Sequence, residues 1–208
     1  MLLNFFNSLD LTKLKKEIDR KKQDYPQEWL GRSLAYTPYQ PRPIKTILTK
    51  TKDFNPKNIY QIPLTNDFLQ IAKTNETLAS CFSVYSLENL TFIRRYVQIP
   101  LIFNYPIVDS YQILESLVFG ADCIILNPAI LSQKELKELN DFTIKLGLQS
   151  IFKITTKEDL RKAIFAGVEI LNIQDSIDLI PLIPNNKIIL ANQAFQKTKG
   201  VDSCFVFL

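Results

Sequence analysis

None of the 208 residues of this sequence is a histidine. Histidine is the commonest residue for general acid–base catalysis near neutral pH and the commonest metal ligand. Any proton transfer or nucleophilic attack must therefore use lysine, aspartate, glutamate, tyrosine or cysteine.

The three cysteines, Cys81, Cys123 and Cys204, are far apart, and each lies in an apolar stretch. They show neither the CxxC spacing of a metal site nor the pattern of a disulfide framework. We interpret them as buried free thiols, and we predict no metal site and no cofactor.

The charge balance is mild, at +4 from 25 basic and 21 acidic residues. Basic residues cluster between Lys13 and Lys22, but Glu17 and Asp19 interrupt the cluster and aromatic residues are not interleaved with it. We interpret this cluster as the solvated face of a helix and expect no nucleic-acid partner. No run approaches the roughly 18 apolar residues that suggest a membrane helix. The first residues also lack the basic region of a secretory signal. We therefore expect no membrane contact and a cytoplasmic location.

Residues 1–43 read as an N-terminal extension. Leu11, Leu14 and Ile18 have helical spacing, and three prolines between residues 38 and 43 predict an extended connector. The remaining residues, 44–208, alternate short apolar runs with helical patterns. Ser132 with Glu135, and Thr155 with Glu158, are expected to form capping boxes at two helix starts.

Eight candidate strands follow one another in the second region. They are residues 44–49, 79–85, 99–103, 123–126, 150–154, 169–173, 187–191 and 203–208. Buried parallel strands joined by helices predict an α/β fold with right-handed crossovers. Eight of them favour a closed (β/α)8 barrel of the TIM type, here shortened and lacking the final helix. An open flavodoxin-like sheet is the alternative, because periodicity does not separate the two.

One long segment carries a resemblance to a known family. Residues 109–131, DSYQILESLVFGADCIILNPAIL, are similar to the pattern DPYQIxxARxxGADAILLIxxIL of indole-3-glycerol-phosphate synthases. Residues 136–160 resemble the family's LxxLxxxAxxLGxxxLVEVHxxxEL, and Arg42 and Pro43 resemble the pair that precedes its first strand. The resemblance covers roughly the whole chain and is densest over residues 97–173. It implies a (β/α)8 barrel and a lyase of tryptophan biosynthesis, which closes an indole ring from a carboxyphenylamino deoxyribulose phosphate.

The resemblance also implies where the catalytic groups should lie, and most of these positions are substituted. The family's acid lysine, in LxKDFI, aligns with Asn104, and the glutamate of LVEVH aligns with Lys153. Asparagines after the sixth strand align with Gln174 and Asp175, and the glutamate of SESG aligns with Asn192. One register of the family's first-strand EIKxxSPS retains a lysine as Lys52. The phosphate-binding glycines and serine align with Ala194, Phe207 and Leu208.

Three hypotheses about function follow from this pattern. The first is a barrel that has lost catalysis and serves a binding or structural role, a pseudoenzyme. The alternative is an active indole-3-glycerol-phosphate synthase in which other groups replace the lost ones. A third is a different small-molecule site that uses Asp175, Tyr105, Lys52 and Lys153, although solvated lysines at strand ends are the favoured explanation of the last two.

The last strand suggests a contact surface. Residues 204–208 are apolar on both faces, and a barrel strand needs an apolar cover on its outer side. A protein partner or a homodimer through this strand would supply the cover, and Leu2, Leu3, Phe5 and Phe6 are the internal alternative.

Overall fold

Eight parallel strands form a closed barrel in the order of the chain. The structure is a computed structural model and describes residues 10–50 and 56–208. The strands are β1 Lys57–Gln61, β2 Cys81–Val84, β3 Leu101–Phe103, β4 Cys123–Leu126, β5 Gln149–Lys153, β6 Ile170–Gln174, β7 Ile188–Asn192 and β8 Ser203–Phe207. Strands β1 and β8 close the barrel. They pair in parallel, with Lys57 opposite Ser203 at one end and Gln61 opposite Phe207 at the other. The predicted (β/α)8 fold is confirmed, and the open-sheet alternative is wrong.

Helices precede the barrel and cover its outside. Those of the extension are α1 Leu11–Asp24, α2 Gln27–Ser33 and α3 Lys45–Leu48. The covering helices are α4 Phe68–Asn75, α5 Leu87–Tyr96, α6 Ser110–Val118, α7 Gln133–Lys145 and α8 Lys157–Ala166, and short 3-10 turns follow β6 and β7. In the described ranges, no helix is long and apolar enough to cross a membrane.

The prediction of a first strand at residues 44–49 is wrong, because this segment forms helix α3 and β1 begins only at Lys57. Ile44 and Leu48 lie one helical turn apart, so both point the same way, and both are fully buried. They pack against the interior side chains of the barrel, including Ile59 and Ile151. Helix α3 thus fills the end of the barrel where the strands begin.

Two polar contacts hold α3 in this position. The backbone N–H groups of Ile44 and Lys45 donate to Oε1 of Gln149, at 2.7 and 2.9 Å. The Ser203 hydroxyl donates to the carbonyl oxygen of Leu48 at 2.7 Å. Gln149 and Ser203 are the first residues of β5 and β8, so α3 is tied to two sides of the sheet.

Helices α1 and α2 lie against α6. Leu14, Ile18 and Leu30 form an apolar cluster with Tyr111 and Leu114. Lys21 pairs with Glu115 at 3.0 Å and Lys22 with Asp109 at 2.7 Å. The extension is therefore packed on the barrel, even though its apolar cluster is separate from the main core.

Helix caps agree with the sequence at one of the two predicted boxes. The box of Ser132 and Glu135 at the start of α7 is confirmed. The box at the start of α8 is formed by Thr156 and Asp159, one residue later than predicted. Thr155 and Glu158 are each followed by a residue of the same chemical type, Thr156 and Asp159, so the sequence pattern alone does not distinguish the two boxes.

The described residues end with β8, whose residues from Ser203 to Val206 are buried. Phe207 and Leu208 are 56% and 46% exposed. The internal cover suggested for this strand, Leu2 to Phe6, lies outside the described residues, so a partner at this strand stays a prediction. All three cysteines are free and buried, as predicted.

Candidate functional site

The carboxyl ends of the strands surround a cavity of about 140 Å³. In TIM barrels this end carries the active site, because the loops that follow the strands converge there. The side chains that line it are mostly polar: Gln61, Tyr85, Asn104, Lys153, Asn172, Gln174, Asp175 and Asn192, with Ile125, Phe205 and Phe207 as the apolar members. We call this cavity the barrel mouth.

Hydrogen bonds fix several of these side chains on the β1 to β3 side. The Tyr85 hydroxyl donates to Oε1 of Gln61, and both residues are buried. Asn104 donates from Nδ2 to the Ser83 hydroxyl at 3.2 Å. Burial raises the pKa of Tyr85 to about 12, and hydrogen bonds from Ser83 and Asn104 oppose that shift. Tyr85 is therefore a neutral phenol at physiological pH.

On the opposite side, amides surround a single carboxylate. Asn192 donates from Nδ2 to Oδ1 of Asp175 at 2.6 Å. The Oδ1 of Asn172 accepts from the backbone N–H of Gln174 at 3.1 Å. These contacts bring the ends of β6 and β7 together around Asp175.

Gln174 has an unusual backbone conformation, with φ of +51°. Residues other than glycine rarely adopt this left-handed region, and such strain concentrates at functional sites. The pairing between β6 and β7 shifts register between Asn172 and Gln174. The irregularity turns the end of β6 so that Asn172, Gln174 and Asp175 all reach the barrel mouth.

Lys153 is the last residue of β5 and projects into the barrel mouth. It is half-buried, and this burial lowers the pKa of its amine. Among the residues that the structure describes, no carboxylate forms an ion pair with this amine and no oxygen accepts a hydrogen bond from it. Asp175 lines the same cavity but is engaged by Asn192. The barrel mouth therefore combines one unpaired amine, one carboxylate and a ring of amides.

The model of the family "Indole-3-glycerol phosphate synthase" matches residues 33–182, most of the barrel. The chain belongs to the indole-3-glycerol phosphate synthase family. An indole-3-glycerol phosphate synthase of Campylobacter concisus is 39% identical over 211 residues, which cover 87% of this chain and 81% of that protein. One from Campylobacter jejuni subsp. jejuni is 40% identical over 221 residues, with 91% and 85% covered.

A solved structure shares the fold at low sequence identity. It is the N-acetylmannosamine-6-phosphate 2-epimerase of Clostridium perfringens, with a TM-score of 0.64 and 12% identity. The match covers 81% of this chain and 91% of that one. At this identity the likeness concerns the barrel alone.

Four of the five residues predicted from the family patterns lie together in the barrel mouth. Asn104, Lys153, Gln174 and Asn192 each end or directly follow a strand, as the patterns require. Lys52 lies outside the described residues, so its role stays a prediction. Because β1 begins five positions after Lys52, the register that retains this lysine puts it before the strand rather than after it.

The structure indicates a different register for the family's first-strand pattern. With β1 ending at Gln61, the glutamate, isoleucine and lysine of EIKxxSPS fall on Gln61, Ile62 and Pro63. Ile62 matches, whereas Gln61 keeps the size of the glutamate without its charge. In this register neither charged residue of the pattern is retained.

Sequence reasoning missed Gln61, Tyr85 and Asn172 as lining residues. Gln61 was hidden by the misplaced first strand, and Tyr85 was read as part of the apolar run of β2. Asn172 is a polar residue at an interior position of β6, and this break in an apolar strand is the signal that would have found it.

Tyr105, suggested as part of a different site, does not line the barrel mouth. It contributes to a neighbouring cavity of about 190 Å³ between α1 and the loops after β2 and β3, where Leu14 and Ile18 are also found. Tyr85 is shared by the two cavities. Asp175 and Lys153, the other described members of that suggestion, do lie in the barrel mouth.

Proposed function

We propose that the barrel mouth binds a small polar ligand and that the family's ring closure is lost or greatly slowed. The observation that carries this proposal is the charge of the lining residues. Positions that match the family's acid lysine and two of its glutamates hold the uncharged Asn104, Gln61 and Asn192, and a third glutamate position holds Lys153. A general acid must deliver a proton, and an amide does not do so in that role.

The surroundings of the family's phosphate site support the same proposal. A dianionic phosphate needs converging backbone N–H groups that it approaches closely, which glycine permits. Ala194 and Phe207 stand at two of these positions, and the ring of Phe207 lines the barrel mouth. We therefore expect weak binding of a substrate-like phosphate ester. Calorimetry that finds micromolar affinity would contradict this expectation.

The names of the relatives favour a second candidate, an active indole-3-glycerol phosphate synthase in tryptophan biosynthesis. Lys153 and Asp175 supply one amine and one carboxylate in the barrel mouth, the two types of group that the reaction needs. In this candidate Lys153, at the end of β5, replaces the acid lysine that the family carries after β3, two strands away in the barrel.

One steady-state assay separates the two candidates. Formation of the indole ring from the carboxyphenylamino deoxyribulose phosphate is followed by fluorescence, with the Campylobacter concisus relative as positive control. We expect no turnover by this chain above the background reaction. Turnover that Lys153→Met or Asp175→Asn abolishes would establish the second candidate.

A gain-of-function variant tests whether the substituted residues explain an absence of turnover in this assay. Asn104→Lys combined with Gln61→Glu and Asn192→Glu returns the family's residue types to the barrel mouth. We expect this triple variant to raise the rate above that of the unchanged chain. Asn127→Lys, which places a lysine directly after β4, controls for the effect of an added lysine at a different strand end.

A further inference from the structure

Lys153 lines a cavity and has no partner among the described residues, whereas several lysines on the outside of the barrel are paired with a carboxylate. Lys21, Lys45 and Lys137 each lie within 3.0 Å of a carboxylate oxygen. The Lys153 amine, in contrast, has no ion pair or hydrogen bond within residues 10–50 and 56–208, and it lines the barrel mouth. Its place in the sheet is fixed, because Lys153 is in register with Asn172 on β6.

Burial without a counter-charge changes the state of this amine. Removal of water disfavours the ammonium form, and the only cause of the lowered pKa is that burial. A larger fraction of Lys153 is therefore neutral at physiological pH than of an exposed lysine. A neutral amine is a nucleophile, whereas the ammonium ion is not.

We propose that Lys153 forms an imine with a small hydroxylated aldehyde or ketone in the barrel mouth. The proposal rests on the barrel mouth being a ligand site and is independent of ring closure. The Nζ lone pair forms a bond to the carbonyl carbon, and the carbonyl oxygen becomes the hydroxyl of a carbinolamine. That oxygen then leaves as water with both protons of the neutral amine, which gives C=N. The exchange needs no oxidant or reductant.

The surrounding side chains define the class of carbonyl compound. Asn104, Gln174 and Asn192 offer amide donors and acceptors, which suit the hydroxyl groups of a polyol. The cavity of about 140 Å³ admits a molecule of a few carbon atoms. Ile125 and Phe205 line the same cavity and belong to the apolar interior of the barrel, which limits the access of water to the C=N bond.

The test uses glycolaldehyde as the aldehyde probe and dihydroxyacetone as the ketone probe. The intact protein is incubated at pH 7 with each probe and cyanoborohydride, which reduces an imine to a stable amine. Peptide mass spectrometry then gives the rate of modification at each lysine. We expect Lys153 to be modified several times faster than an exposed lysine, because a larger fraction of its amine is neutral.

Lys157 is the matched control, because it lies four residues away at the exposed start of α8. Lys157→Met should leave the fast modification unchanged, and Lys153→Met should remove it. Lys153→Arg keeps the charge and provides a second variant if the methionine variant does not fold. Equal rates at Lys153 and Lys157 in the unchanged protein would overturn the proposal. An inactive ring-closure assay would not bear on it.

Discussion

Arg94 donates from Nη1 to both carboxylate oxygens of Asp122, at 2.7 Å each, and both side chains are almost completely buried. Asp122 also accepts from the backbone N–H groups of Arg42, at 2.6 Å, and Leu101, at 2.8 Å. One carboxylate therefore joins the N-terminal connector, helix α5 and strand β3 at the end of the barrel opposite the mouth.

The variant Asp122→Ala should lower the free energy of unfolding by about 3–5 kcal/mol, because it leaves the buried Arg94 without a counter-charge. Chemical denaturation measures this change. Asp141→Ala is the control, since its pair with Lys137 is half-exposed and worth under about 1 kcal/mol. Equal losses in the two variants would show that the buried ion pair has no special role.

Leu48→Ala should destabilise the protein by about 2–5 kcal/mol, the usual cost of a cavity in a closely packed interior. Leu48 is fully buried against the interior side chains of the barrel. Thr46→Ala changes an exposed residue of the same helix and should have little effect. A Leu48 variant as stable as the Thr46 variant would mean that α3 does not fill the barrel.

Replacement of Gln174 tests the strain at the end of β6. Gln174→Gly should be about 1 kcal/mol more stable than Gln174→Ala, because only glycine adopts a φ of +51° without steric cost. Both variants lose the side chain, so their difference isolates the backbone. Thermal unfolding of the pair supplies the comparison, and a more stable alanine variant would refute the assignment of strain.

The burial of Lys153 predicts a pH-dependent stability. The pKa of Lys153 is lower in the folded chain than the ordinary 10.5. At pH values between the folded and the unfolded pKa, the unfolded chain therefore binds more protons than the folded chain. Burial of the charge therefore costs stability at neutral pH, and this cost declines as the pH rises toward 10.5. Lys153→Met should stabilise the protein at pH 7 by more than it does at pH 10. A gain that is the same at both pH values would show that Lys153 is not desolvated.

Sequence patterns located β2 to β8 because each is a short apolar run between a helix and a cap or glycine. They failed at β1, where Lys57–Gln61 is mostly polar and only Ile59 and Tyr60 are apolar. The segment 44–49 was predicted as a strand because it contains β-branched residues, but Ile44 and Leu48 also have helical spacing. Its tertiary contacts, which no local pattern contains, decide between the two.

The barrel mouth could be predicted only through the family patterns. Those patterns gave Asn104, Lys153, Gln174 and Asn192 because their strands were correctly placed. They gave no information on the left-handed Gln174, since nothing in its side chain favours that conformation. They also did not reveal that Asn192 engages Asp175, because that contact depends on the irregular pairing of β6 with β7.

The position of α3 determines the order in which its contacts with the barrel strands form during synthesis. Ile44 and Leu48 leave the ribosome before any strand that they contact, and their hydrogen-bonded partners follow 105 residues later at Gln149 and 155 residues later at Ser203. Contacts so distant along the chain form slowly, because a long loop must close first. Two large apolar side chains thus lack part of their packing and hydrogen-bonded surroundings until the last strand is made. A nascent chain halted before Ser203 would expose them, and with them a surface prone to aggregation.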